Sequence, residues 1–221
     1  MVEHTDDTSR SHKREDCEVR AICDTTISLI PRMGISNATL REACRQLNLE
    51  NSFCKFPGGV NSVLEYFHED LIDSITHSFQ SRDPAELPRV RDRIYHLLEL
   101  CILYNASVPN SREFVKSVLR FSLLPSNTCF FASLVFRVMD AVWHLAGDSS
   151  TNFSYYTKRL TAASVYVSSL VYFAQDHSEN VSETLSFMGR RINGILKFQK
   201  LKNSAKNALP KIFRAFDVRF N

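Results

Sequence analysis

Residues 38–59 read ATLREACRQLNLENSFCKFPGG. A helix fits 38–47, after Asn37, and a short one fits about 50–55, stopped by Pro57-Gly58-Gly59. With a first helix over 17–32, CEVRAICDTTISLIPR, this makes a three-helix unit of the helix-turn-helix kind. In a DNA reader the last of these helices enters the major groove. Here that half carries one cation, Lys55, and one anion, Glu50. Phosphate contacts dominate affinity for DNA. Asn48, Asn51, Ser52 and Lys55, with Arg32, Arg41 and Arg45 nearby, are too thin a set for that. No nucleic-acid partner is expected.

The rest of the chain reads as helix. The 221 residues hold 16 Phe and only 6 Gly, which favours an all-α protein. A helix over 60–80 repeats Val60, Val63, Leu64, Phe67, Leu71, Ile75 and Phe79 every three or four residues. Val90, Ile94, Leu97, Leu98 and Cys101 mark the next helix, and another fits 110–123. In a helix over about 127–146, Ser133, Arg137, Asp140 and His144 form one polar stripe and nearly everything else is apolar. Such a helix is a central core element or lines an apolar cavity. Helices over 154–175 and 180–200, joined at Asp176–Ser178, form a hairpin that could pair with a second copy as a four-helix homodimer.

Charge divides the chain. Residues 190–221 carry nine Lys/Arg and one Asp, net +8 against +3 for the whole, so the remainder is −5. Such a tail suits an anionic surface. From Pro210 a short helix is predicted, with Leu209, Ile212, Phe213, Phe216 and Phe220 on one face. That face suits a membrane interface, or packing on the protein's own body. Residues 1–16 are polar and expected to be disordered. They have no secretory h-region, and five acids argue against a mitochondrial transit peptide. The longest uncharged runs, 121–136 and 160–175, fall short of a ~20-residue span. Six cysteines without CxxC spacing read as free thiols.

Catalytic motifs are absent: no GxSxG, Walker A, GxGxxG or HExxH occurs. Glu65 and His68 form a single ExxH, which reads as solvated helix surface, because a di-iron bundle needs two. No enzyme, metal or cofactor is expected. The segment GDSSTNFSYYTKR, 147–159, could be a protein-contact patch, or a helix start capped by Asn152 or Ser154 with locally packed tyrosines.

Met33-Gly34, ATLREAC (38–44) and FPGG (56–59) resemble the start of TetR-type regulators. The whole order resembles one relative of that fold, the ubiquinone-biosynthesis lipid-binding accessory proteins of the Coq-nine family. The stretches that carry it are FPGGVNSVLEYFHEDL (56–71), VRDRI (90–94), DAVWHLAGDSSTNFSYYTKRLTAASVY (140–166) and ETLSFMGRRIN (183–193). The resemblance covers about 17–202. It implies a TetR-like all-α homodimer that does not read DNA. It also implies an apolar cavity for isoprenoid quinone intermediates or phospholipid, a C-terminal membrane helix, and support of the pathway's di-iron hydroxylase. The hydroxylase surface carries over onto Asn152, Tyr155, Tyr156 and Arg159. This chain departs from the family at two of them: an acid is commoner at the Asn152 position and Trp at the Tyr155 position.

The expected organisation is therefore a disordered 1–16, a degenerate helix-turn-helix-like unit at 17–58, a lipid-binding and dimerisation body at 59–202, and a linker with a membrane helix at 203–221. Candidate lining residues are Leu98, Leu124, Phe131, Leu134, Val138, Val142, Tyr166 and Leu170; a closed core would use the same ones. The missing transit peptide points to a bacterial cytoplasmic protein, peripheral on the inner membrane. A TetR-type regulator with a lipid-like effector is the alternative, and a scaffold with a closed core a third reading.

Overall fold

A computed structural model describes residues 4–83, 86–150 and 153–195 of the chain. Among these residues every regular element is helical. The order is α1 (His4–Met33), α2 (Asn37–Gln46), a 3₁₀ segment (Glu50–Lys55), α3 (Val60–Gln80), α4 (Val90–Ser107), α5 (Ser111–Ser122), α6 (Pro125–Leu145) and α7 (Phe153–Phe173). A 3₁₀ turn (Glu179–Val181) then leads into α8, over 182–195.

The first helix is longer than expected. It begins at His4, inside the segment predicted to be disordered. No Gly or Pro interrupts the run before Pro31. The membrane-helix candidates Leu209, Ile212, Phe213, Phe216 and Phe220 lie outside the described residues, as does Asn152.

Local chemistry closes the three-helix unit. Ser36 caps α2 by accepting from the Thr39 amide, and Thr39 Oγ1 donates to the Gly34 carbonyl at 2.7 Å. Asn37 reaches across 23 residues to accept from the Val60 amide at 2.9 Å, satisfying an orphan donor at the start of α3. That contact demands Gly59. Its φ is +60°, and a Cβ there would meet Asn37 Oδ1 at 2.2 Å. The 3₁₀ segment is tied down as well: Ser52 and Lys55 both bond the Glu18 carboxylate at 2.6 Å. Lys55, the one cation that a major-groove helix would have offered, is thus spent inside the fold.

One buried cluster runs from Ile22 on α1 to Met188 on α8, continuous across residues 58–59. Helix α3 packs against both α1 and α6, and α1 also against α5. Helix α6 packs against α3, α4, α5 and α7, with Phe131, Leu134, Val135, Val138, Met139 and Val142 buried. It is not covered all round: Thr128, Cys129, Ala132 and Ser133 face outward. By length and composition α6 would also suffice to cross a membrane, contrary to the expectation drawn from uncharged runs. Its inner face is nevertheless committed to this core. All six cysteines are free thiols. Burial pushes Cys23 and Cys101 up to about 12.

Candidate functional site

The polar stripe of α6 is a joint. Arg137 bonds Glu69 on α3 at 2.8 Å, both well exposed. Asp140 accepts from Tyr155 Oη at 2.7 Å and from Arg159 Nε at 2.6 Å, which locks α6 to the start of α7. His144, the last residue of the stripe, is exposed.

Arg159 is the hub of this joint. It is 3% exposed, its Nη1 lies 3.3 Å from Asp148 Oδ2, and its guanidinium sits over the Tyr155 ring. This corrects its expected place on a partner-binding surface: its fork is consumed by two carboxylates. Burial works to raise the Asp148 carboxyl. Hydrogen bonds from Lys158 and Ser150 outweigh that and hold it at about 2. At Asp140 burial likewise works to raise the carboxyl, and the Tyr155 and Arg159 bonds outweigh it, for a net lowering. Tyr156, by contrast, is 57% exposed and packs edge-on against Tyr155. Phe136 lies beside both rings, completing an aromatic patch on the α6–α7 surface.

Directly below this joint lies a cavity of about 360 Å³ between α4, α6, α7 and α8. Val90, Ile94 and Leu98 supply one wall, at successive turns of α4, and Ala162 and Val165 the facing wall on α7. Ile192 and Ile195 of α8 and the Trp143 indole close it. Two cations line it as well. Lys158 lies 5.3 Å from the Trp143 ring centroid and bonds Asp148 at 2.6 Å, while Arg91 bonds Asn193 at 2.6 Å. The arrangement is an apolar slot with cationic groups in its wall, suited to an amphiphile. A larger hollow of about 780 Å³ has Gln80, Arg82, Asp83, Arg93 and His144 in its wall and is a wetter place.

Of the eight residues predicted to line a cavity, Leu98 does. Phe131, Leu134, Val138, Val142, Tyr166 and Leu170 fill the closed core. The Tyr166 hydroxyl accepts from Asn105 at 2.9 Å, which pairs two buried polar groups. Leu124 is a correction of another kind: it is 52% exposed, at the corner between α5 and α6. The wall residues missed were Val90, Ile94, Trp143, Ala162, Val165, Ile192 and Ile195. The i, i+4, i+8 run of Val90, Ile94 and Leu98 was the available signal.

His68 also departs from expectation. It is buried rather than solvated, and its Nδ1 donates to the Leu64 carbonyl at 2.7 Å. Burial lowers it to about 4, so the ring is neutral and Nδ1-protonated. Among the described residues no group of three or more His, Cys, Asp or Glu side chains is placed to hold a metal.

Comparison with known proteins bears on this region directly. The COQ9 family model matches residues 129–199, which hold α6, α7 and α8, the joint and most of the cavity wall. The chain resembles the COQ9 proteins over most of its length. The rat ubiquinone biosynthesis protein COQ9, mitochondrial, is 24% identical over 197 residues, 84% of this chain and 61% of the relative. Human COQ9, mitochondrial, is 29% identical over 118 residues, 53% of this chain and 35% of the relative. The fission yeast (Schizosaccharomyces pombe) coq9, mitochondrial, is 23% identical over 183 residues, 82% and 71% of the two chains. The match to the rat COQ9 thus spans about three-fifths of that relative's length. Each of these COQ9 proteins is named as mitochondrial, fission yeast included, and that overturns the expected bacterial cytoplasm. None is named as a regulator, so the TetR-type alternative has no support.

Proposed function

We propose that this chain is a mitochondrial accessory protein of ubiquinone biosynthesis, non-catalytic, which binds an isoprenoid quinone intermediate or phospholipid and presents it to the pathway's di-iron hydroxylase. The similarity to COQ9 proteins supports the role in ubiquinone biosynthesis. The observation that carries the lipid reading is the slot walled by Ile94, Leu98, Ala162, Val165, Ile192 and Ile195, with Arg91 and Lys158 in its wall. At about 360 Å³ it is near the lower end of ligand cavities, which run to ~1,000 Å³. It takes a head group and the first part of a chain, and leaves a long isoprenyl tail to lie elsewhere.

Burying a chain gains about 0.8 kcal/mol per CH₂ relative to water but almost nothing relative to a bilayer. Selection therefore rests on the slot's shape and its cationic groups. The exposed Tyr156, backed by Tyr155 and Phe136, is the surface proposed to meet the hydroxylase. A homodimer through α7 and α8, and membrane docking by residues 209–220, complete the proposal.

The test is native mass spectrometry of full-length protein from cells that make isoprenoid quinones, with identification of the extracted lipid. A stoichiometric isoprenoid or phospholipid is the expected result. A protein that stays empty even when purified from membranes overturns the lipid role.

A further inference from the structure

The most exposed large apolar side chain among the described residues, Leu123, has a second exposed leucine beside it. Leu123 is 79% exposed and Leu124 52%, side by side at the corner between α5 and α6. Beyond them, Pro125, Ser126, Thr128, Cys129, Ala132 and Ser133 continue an outward face without charge. The run from Phe121 to Phe136 holds no ionisable acid or base other than the Cys129 thiol, and an arginine, Arg120 or Arg137, borders it at each end.

Much of the backbone at this corner is satisfied from within. The Leu123 amide donates to the Leu119 carbonyl at 3.3 Å and the Leu124 amide to Phe121 at 3.3 Å. Pro125 has no N–H to satisfy. The exposed carbonyls are covered by side chains that follow: Asn127 Nδ2 bonds Phe121 O, and Thr128 Oγ1 bonds both Ser122 O and Leu124 O. These bonds reduce the cost of stripping hydration from peptide groups, the usual penalty for putting a loop against hydrocarbon.

We propose that this corner and the outward face of α6's first turns rest on a phospholipid surface, with Leu123 and Leu124 inserted among the acyl chains. Arg120 and Arg137 lie at headgroup level, where phosphates complement them. Helix α6 has the length and composition of a membrane span, yet only 28% of its most apolar stretch is buried and its inner face is held by the core, so it lies along a bilayer. The small side chains at 126–133 offer a fluid surface more than a shaped protein partner, since they lack the aromatic anchors of a protein interface. The contact is separate from the slot at Trp143.

The test uses the full chain and vesicles of phosphatidylcholine with phosphatidylglycerol. In a Trp143→Phe background, Leu123→Trp places a single reporter at the corner. Its emission should shift to the blue on vesicle addition and be quenched by brominated acyl chains. The double substitution Leu123→Asp/Leu124→Asp, on exposed positions that leave the fold intact by circular dichroism, should weaken vesicle partitioning about tenfold or more. A reporter that stays unshifted while the protein floats overturns the proposal, because another segment then carries the binding. Unchanged partitioning of the Asp pair overturns it too. So does a change in sedimentation mass on the Asp substitutions without vesicles, which would make the corner an interface between copies.

Discussion

The guanidinium carbon of Arg159 lies 3.3 Å from the ring centroid of Tyr155. The same guanidinium bonds Asp140 on α6 and Asp148 in the following loop. One buried cation thus holds a phenol ring and two acids from three parts of the α6–α7 hairpin. Replacing Arg159 with Leu removes the cation shared by both carboxylates, leaving Asp140 with Tyr155 and Asp148 with Lys158 and Ser150. Chemical denaturation should show a loss of about 3 kcal/mol. Arg159→Lys should recover only part, since an ammonium lacks the planar fork.

The same joint sets an acid limit. The folded Asp148 carboxyl sits at about 2, below its ordinary 3.8. The stability it adds is complete above pH ~4 and lost as pH falls towards 2, because the unfolded chain takes up the proton first. Asp148→Asn should flatten the denaturation midpoint between pH 4 and 2 relative to the parent.

His68 acts in a higher window. Its ring titrates near 4 when folded, against 6.5 ordinarily. Stability is therefore full above pH 6.5 and declines as pH drops to 4, where the unfolded state alone holds the extra proton. His68→Leu should remove that slope, measured as urea midpoint against pH.

At the other end of the molecule, Gly59→Ala places a methyl group on Asn37 Oδ1 and forces alanine into φ +60°. The expected cost is about 1–3 kcal/mol. Asn37→Ala, which loses only the cap on Val60, should cost about 1 kcal/mol. Thermal melts of the two variants should rank in that order.

Filling the slot tests its use. Ala162 faces it from α7, and Ala162→Phe should displace bound lipid without unfolding the protein. Lipid recovered at the parental stoichiometry would show that the slot is not the site.

Helix boundaries were legible where punctuation is strong. Gly59 and the end of the apolar run at Phe79 bracket α3, and the expected 60–80 matches Val60–Gln80. Core and cavity were not separable, because both ask for the same side chains at the same spacing. Phe131 and Val138 on α6 turn inward and Trp143 turns to the slot, a choice made by neighbours from α4, α7 and α8. Arg159 was misread for a related reason. A cation after two tyrosines at a helix start looks like surface, and its partner Asp140 is 19 residues earlier, on the stripe of another helix.

The turn after α7 sets a geometry of its own. Asp176 accepts from the amides of Ser178 and Thr184, and its carbonyl is held by Arg112 of α5. Within this clasp Asn180 and Val181 adopt φ of +52° and +57°, and a β-branched residue pays heavily for that conformation. From there α8 runs ten residues, about 15 Å, before Ile192 meets the slot. The helix is a lever with a sprung fulcrum. Any rotation at the turn would be carried along α8 to Ile192 and Ile195 in the wall of the slot, from a point that is not itself part of that wall.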